Sequence, residues 1–248
     1  MPYINLRRWA ICLSAFLLCF GSCVIPQPTS EVPPSALEAA LLAAWSAGEE
    51  SLLFDTPMPL AAVEDTYFAL LDAVPELFWA ADRFGYTAIG EGVVAVAPDY
   101  LCPPDELPAQ RSAMTEAIER IMVVLPSQGS EYACAYALHD ALAAVVDYGR
   151  AEASALGEDG AYTAYGALVD GVAVCRGYAM AYLVLLARAG ITAEYVKSAS
   201  MGHGWVRARL DGRWVHIDVT WDDRNPTSHR RFARSDRSMQ ALGYTDWQ

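Results

Sequence analysis

Apolar residues recur at three- and four-residue intervals through much of the chain and at two-residue intervals in its last third. Ser35-Ala36-Leu37-Glu38 has capping-box spacing, and Leu37, Leu41 and Trp45 follow at i, i+4 and i+8, which predicts a helix over about 36–47. After a turn around Pro57-Met58-Pro59, residues Tyr67, Leu70, Leu71 and Val74 mark a second helix that Pro75 ends. Segments 86–89 and 93–97 flank Gly90-Glu91-Gly92 as a β-hairpin. Beyond Pro103 and Pro104, Met114, Ile118, Ile121 and Leu125 mark a long helix closed by Pro126, and Ala135, Leu138, Leu142 and Val145 mark another over about 131–148. His139, beside Asp140 at the edge of that last stripe, reads as a core or capping histidine rather than a catalytic one.

Chemistry concentrates in the stretch 171–223. From Tyr178 to Ala189 the chain has neither Gly nor Pro and is densely apolar, which predicts a buried helix stopped by Gly190, with Cys175 at its N-terminus. The helix dipole there favours thiolate over thiol. Segments 206–210 and 214–219 are β-runs joined by the hairpin signal Asp211-Gly212. If those two residues form the loop, Leu210 faces Arg213, His203 lies opposite Thr220 and Trp205 opposite Asp218. His203, Trp205, Trp214, His216, Asp218 and Thr220 then share one face, and Val206, Ala208, Leu210, Val215, Ile217 and Val219 the other. His203 and Asp218 become diagonal neighbours about 7–8 Å apart at Cα, within reach of an imidazole–carboxylate hydrogen bond. Asp218 could orient His203, and His203 could pair with Cys175. His216 shares the face and is the rival base; Gly202 and Gly204 favour His203, because they admit close approach of backbone and substrate. His229 reads as solvated beside Arg230 and Arg231, and Asp222 and Asp223 as a surface pair. Trp205, Trp214 and Trp221 read as core or cleft-wall residues, one or two of which line the groove.

The 248 residues, 54% of them hydrophobic, suffice for a sizeable core, and the formal net charge of −13 argues against nucleic-acid binding. Residues 1–22 read as a signal peptide: Arg7 and Arg8 precede an apolar run too short to span a membrane. Phe20-Gly21-Ser22-Cys23 resembles a bacterial lipobox, so Cys23 is the candidate lipidation site and 23–35 a Pro-rich tether, giving an exported protein that is either lipid-anchored at the cell envelope or secreted. With Cys175 kept as a thiol, Cys102 and Cys134 are the candidate disulfide, two buried thiols being the alternative. CxxC and HExxH spacings are absent, and no metal or cofactor is expected.

Val174-Cys175-Arg176-Gly177-Tyr178-Ala179, Gly202-His203-Gly204-Trp205-Val206 and Trp214-Val215-His216-Ile217-Asp218-Val219-Thr220-Trp221-Asp222 resemble the transglutaminase-like superfamily of papain-like cysteine enzymes, as does Tyr165-Gly166-Ala167-Leu168 before them. The resemblance implies an α+β fold in which the cysteine-bearing helix packs on an antiparallel sheet, here over 126–248, with 36–125 as an N-terminal helical and hairpin extension. It implies Cys175 as nucleophile, His203 as general base and acid, and Asp218 as orienting group. Trp205, Tyr165 and Trp221 are the candidate substrate contacts. The oxyanion partner is not marked; the Cys175 N–H and a group from Tyr162 or Tyr165 are candidates. The expected activity is a thiol enzyme acting on peptide or protein amides through a thioester, hydrolytic rather than crosslinking. A catalytically silent binding or structural module at the cell surface is the alternative.

Overall fold

A computed structural model describes residues 35–150 and 154–247. The leader, Cys23 and all but the last residue of the tether lie outside the described residues. Among the described residues no helix is long and apolar enough to cross a membrane. The chain divides by packing into two units: one runs to Leu71 and resumes over Asp82–Asp99, and the other comprises Asp72–Ala81 and Tyr100 onward.

The first unit contains α1 (Ala36–Ala47), β1 (Leu52–Pro59) and most of α2 (Leu60–Ala73), β2 (Ala80–Ile89) and β3 (Gly92–Tyr100). Helix α1 starts with the expected reciprocal cap, Ser35 Oγ accepting from the Glu38 N–H at 3.1 Å and the Ser35 N–H donating to Glu38 Oε2 at 3.3 Å. Leu41 and Trp45 of α1 are buried, as are Val63 and Tyr67 of α2; Tyr67 packs edge-on to Trp45 and against Phe84, ring centroids 4.8 Å apart for the latter. The sheet order is β1-β3-β2. Strand β1 occupies the place where the prolines predicted a turn. It is an edge strand with an irregular register between Leu53 and Met58, so the N–H groups that Pro57 and Pro59 lack need not complete a ladder.

The second unit contains α3 (Leu107–Met122), α4 (Glu131–Ala143), β4 (Asp147–Tyr148), β5 (Val172–Ala173), α5 (Cys175–Arg188), β6 (Ala193–Ser198), β7 (His203–Leu210), β8 (Arg213–Ile217), the single turn α6 (Val219–Asp222) and α7 (Asp236–Ala241). The fold is α+β. Every residue from Gly177 to Leu186 is buried, so α5 is apolar all round and forms the centre. It packs on the antiparallel sheet β6-β7-β8 and on α4 and α6. Burial of each large side chain there contributes on the order of 1.5–3 kcal/mol. Helix α4 ends at Ala143, short of the expected 148, because the next backbone groups pair elsewhere: the Asp147 N–H donates to the Gly171 carbonyl and the Gly149 N–H to the Ala173 carbonyl.

The hairpin has the expected register, Leu210 facing Arg213 and Val206 facing Ile217. Asp211 and Gly212 both have positive φ, 49° and 83°, as a two-residue type I′ turn requires. The Asp211 carboxylate accepts from the Glu131 N–H, and the Glu131 carboxylate from the Asp211 N–H, tying this turn to the start of α4. Pairing stops at Ile217, whereas the sequence pattern carried the strand past it. Asp218 turns away, its N–H donating to the Arg231 carbonyl and its Oδ1 accepting from the Trp221 N–H at 3.1 Å, so the carboxylate caps α6. Cys102 and Cys134 are free thiols and not a disulfide: Cys102, in the segment that leads into α3, is buried, and Cys134 is half-buried in the first turn of α4.

Candidate active site

Cys175 is the first residue of α5, whose N-terminus has no side-chain cap, and the Arg176 amide there acts on the sulfur. Close packing fixes the position. The Val174 N–H donates to the Ala161 carbonyl at 3.0 Å, and a Cβ on Gly177 would stand 2.4 Å from that same oxygen, so only glycine admits the 158–163 turn against the helix.

His203, first residue of β7, reaches Cys175 from the sheet. Its Nε2 lies 2.8 Å from Asp218 Oδ2, so the sulfur takes the other ring nitrogen, Nδ1. The fully buried Asp218 divides its oxygens: Oδ1 caps α6, and Oδ2 accepts from His203 and from the Tyr244 hydroxyl. Trp221, carried by α6, stacks on the imidazole with centroids 4.7 Å apart and planes 20° apart.

Burial raises the Cys175 thiol, but hydrogen bonds from His203 and the Gly204 amide, the imidazole charge and the Arg176 amide outweigh it and hold the thiol below its ordinary value. For His203, burial works against the charged form. Hydrogen bonds to Asp218 and Cys175, with the charges of both, reverse this and push the imidazole up to about 9. Both shifts act in the direction of a thiolate–imidazolium pair.

The other sequence candidates fall out as follows. Trp205 is buried and donates its indole N–H to His216 Nδ1 at 2.9 Å, so it offers no face to a substrate. Tyr165 is buried against Phe78 with its hydroxyl on Gln110, and it too is withdrawn from the site. Of the three, Trp221 lies nearest the His203 imidazole, 4.7 Å between centroids against 5.8 Å for Trp205. His216 has Trp205 on one ring nitrogen and Asp236 on the other, 3.1 Å away, and burial lowers its pKa. The Asp222-Asp223 pair is not a surface pair. Asp222 is fully buried and accepts the Arg231 N–H at 2.8 Å, and the partly buried Asp223 takes the Tyr178 hydroxyl. His229 is not a free solvated side chain, since its Nε2 lies 2.6 Å from Asp140 Oδ1.

Three residues at the site carried no signal in the spacing. Tyr244, in the C-terminal tail, completes the Asp218 shell. Tyr195 of β6 lies over Gly204, where a Cβ would stand 2.0 Å from the phenol oxygen. Burial is the main reason its pKa is raised, with the Cys175 charge contributing, so the hydroxyl keeps its proton beside the sulfur. Tyr148 of β4, 64% exposed, also feels the Cys175 charge and stands at the open side.

Residues 124–219 match the model of the Transglutaminase-like superfamily. No curated protein matches the chain significantly. Solved structures that resemble it include a TGase, at 15% identity and a TM-score of 0.37, with 68% of this chain aligned to 50% of that one. A proposed protease from Parabacteroides distasonis aligns at 15% identity and a TM-score of 0.33, over 53% of this chain and 29% of that one. A proposed cysteine protease from Cytophaga hutchinsonii aligns at 13% identity and a TM-score of 0.33, over 56% of this chain and 61% of that one. This chain thus spans less than two thirds of each of these structures.

Proposed function

We propose, from the premise that residues 124–219 are a domain of the transglutaminase-like superfamily, that the chain is a thiol enzyme cleaving amide bonds of peptides or proteins through a thioester. The observation that carries this reading is the pair at the head of α5: a thiol held low by an imidazole that is itself held high and anchored on a buried carboxylate.

The Cys175 thiolate adds to the amide carbonyl carbon, forming a C–S bond and placing negative charge on the carbonyl oxygen. The Cys175 amide and the Tyr195 hydroxyl are the donors we assign to that oxygen; Tyr165 is set aside because its hydroxyl donates to Gln110, whereas Tyr162 accepts from Arg150 and keeps its own proton as a further donor. Collapse breaks the C–N bond as imidazolium His203 gives its Nδ1 proton to the departing amine. Neutral His203 then takes a proton from water, the hydroxide adds to the thioester carbonyl, and breakage of the C–S bond releases the carboxylic acid and regenerates the pair. An amine in place of water would give transfer; we assign water. Asp218 keeps His203 turned toward the sulfur throughout. Trp221 and Tyr148 are the side chains we place along the bound peptide.

The leader pattern in the sequence supports action outside the cytoplasm, with Cys23 as the lipid-bearing residue. Release from the membrane fraction by Cys23→Ser, with a matching mass loss, tests that part separately.

The chemistry is tested by offering a peptide library together with a fluorescent primary amine to the native chain and to Cys175→Ala. New peptide termini that depend on Cys175 are expected. Amine incorporation without new termini would replace hydrolysis by transfer, and neither product would leave a non-catalytic module.

A further inference from the structure

Away from the proposed nucleophile, His139, Asp140 and His229 converge, each offering a ligand atom within 4.8 Å of the other two. Helix α4 supplies the first two, and the segment after α6 supplies the third. Asp140 Oδ1 lies 3.0 Å from His139 Nδ1 and 2.6 Å from His229 Nε2.

The outward nitrogens are also faced by polar groups. His139 Nε2 lies 3.6 Å from Asp222 Oδ2, too far for a hydrogen bond, and is buried without a hydrogen-bond partner; Asp222 Oδ1 also has no hydrogen bond, with the Arg231 guanidinium 3.8 Å away. His229 Nδ1 lies 3.3 Å from the Tyr136 hydroxyl, and the two rings stack at 4.4 Å. Neither neutral tautomer of His139 suits this setting. A proton on Nδ1 serves Asp140 and leaves a bare Nε2 lone pair facing the Asp222 carboxylate. A proton on Nε2 serves Asp222 and leaves the Nδ1 lone pair against Asp140 Oδ1. A metal ion among the three inner atoms removes the conflict, as a second proton on the ring also would: the ion takes the Nδ1 lone pair and fixes the proton on Nε2, where it faces Asp222. A ligating histidine whose far nitrogen is held by a carboxylate is the arrangement metal sites commonly use.

We propose that His139, Asp140 and His229 bind a divalent transition-metal ion of the zinc class, with Asp222 and Tyr136 orienting the two imidazoles. Two nitrogens and one carboxylate oxygen suit zinc with water as fourth ligand, whereas calcium takes six to eight oxygens and magnesium an octahedral set. Bonds of about 2.0–2.1 Å place donors roughly 3.3 Å apart, so the Asp140 contacts, 3.0 Å to His139 and 2.6 Å to His229, must open by about 0.3 and 0.7 Å. The side chains of Asp140 and His229, 42% and 31% exposed, give the ion an entry path. The ion would join α4 to the segment leading into Arg231, whose amide binds Asp222 at the end of α6.

Equilibrium dialysis of chelator-treated full chain against zinc tests this. Cys175→Ala serves as the background, so that the thiolate–imidazole pair does not capture the ion. One equivalent is expected, with a rise in Tm of about 5 °C at a hundredfold excess over Kd. In that background the half-exposed His229→Ala should fold, by circular dichroism, and weaken binding by at least tenfold. Asp222→Asn keeps all three ligands and should weaken it by about 10- to 100-fold. Should Asp222→Asn not fold, Tyr136→Phe, which removes the contact to His229 Nδ1, must weaken binding in its place. Absence of zinc binding, binding unchanged in His229→Ala, or stoichiometric binding of calcium in place of zinc would each overturn the proposal.

Discussion

The Tyr244 hydroxyl donates to the same Asp218 oxygen that faces His203. Both side chains are buried, so the carboxylate receives this hydrogen bond far from water. Tyr244→Phe removes the donor and keeps the ring. Loss of a hydrogen bond to a charged group predicts destabilisation by about 1.5–3 kcal/mol, read by denaturant unfolding. With Asp218 less firmly held, alkylation of Cys175 by iodoacetamide should also slow, and an unchanged rate would separate Tyr244 from the site.

Asp218→Asn tests the orienting role itself. An amide can still cap α6 through its oxygen, so the far-UV spectrum should be retained. It can also present N–H to His203 and favour the wrong tautomer, which predicts a fall in kcat of about 10³–10⁴-fold. Near-native turnover would mean that the carboxylate serves only the fold.

The two shifts at the pair give a pH signature with a definite sign. Cys175 is held low, so its alkylation should have a midpoint below about 8.5, the usual thiol value, and then stay level. His203 is held up to about 9, so acylation, which needs its proton for the leaving amine, should fall as pH rises through that value. Alkylation and acylation profiles should therefore part above about pH 9. In stability, the raised imidazole contributes fully below about 6.5, its usual pKa, and the contribution is lost as pH rises through about 9. The lowered thiol contributes above its unfolded value, and its part is lost as pH falls through the lowered one. His203→Ala should carry the alkylation midpoint upward.

Tyr195→Phe separates stabilisation of the oxyanion from activation of the thiol. If the phenol serves the carbonyl oxygen, kcat should drop by about 10²–10³-fold while the Cys175 alkylation profile stays in place. A parallel loss of both would make Tyr195 a support for the sulfur instead.

Local chemistry and period-two patterning carried much of the second unit into view. Asp211-Gly212 allowed one tight turn and that turn set the register, which holds as far as Val206–Ile217; the expected pairs of Trp205 with Asp218 and His203 with Thr220 do not form, and Asp218 meets His203 from the cap of α6 instead. The helix behind Cys175 was equally plain, because a central element is apolar on every side. What stayed hidden depended on distant partners. Strand β1 was masked by its prolines, which only an edge position permits. Strand β8 was read too long because the Asp218 carboxylate starts a helical turn, an event alternation does not encode. Tyr244 and Tyr195 are aromatic residues without special spacing until the tail and β6 fold against β7. Trp205 and Tyr165 have the composition of groove residues, yet His216 and Gln110 claim their polar ends.

The division of labour within the Asp218 carboxylate also bears on motion. One oxygen holds the edge of the His203 ring, and the other, through the Trp221 N–H, holds the turn whose indole lies on the face of that ring. Displacements of Asp218 are thereby transmitted to the imidazole and to the indole above it in concert. Thermal fluctuation can then carry the ring and its cover together as one body, leaving the angle between them, and the aim of Nδ1 at the sulfur, nearly constant.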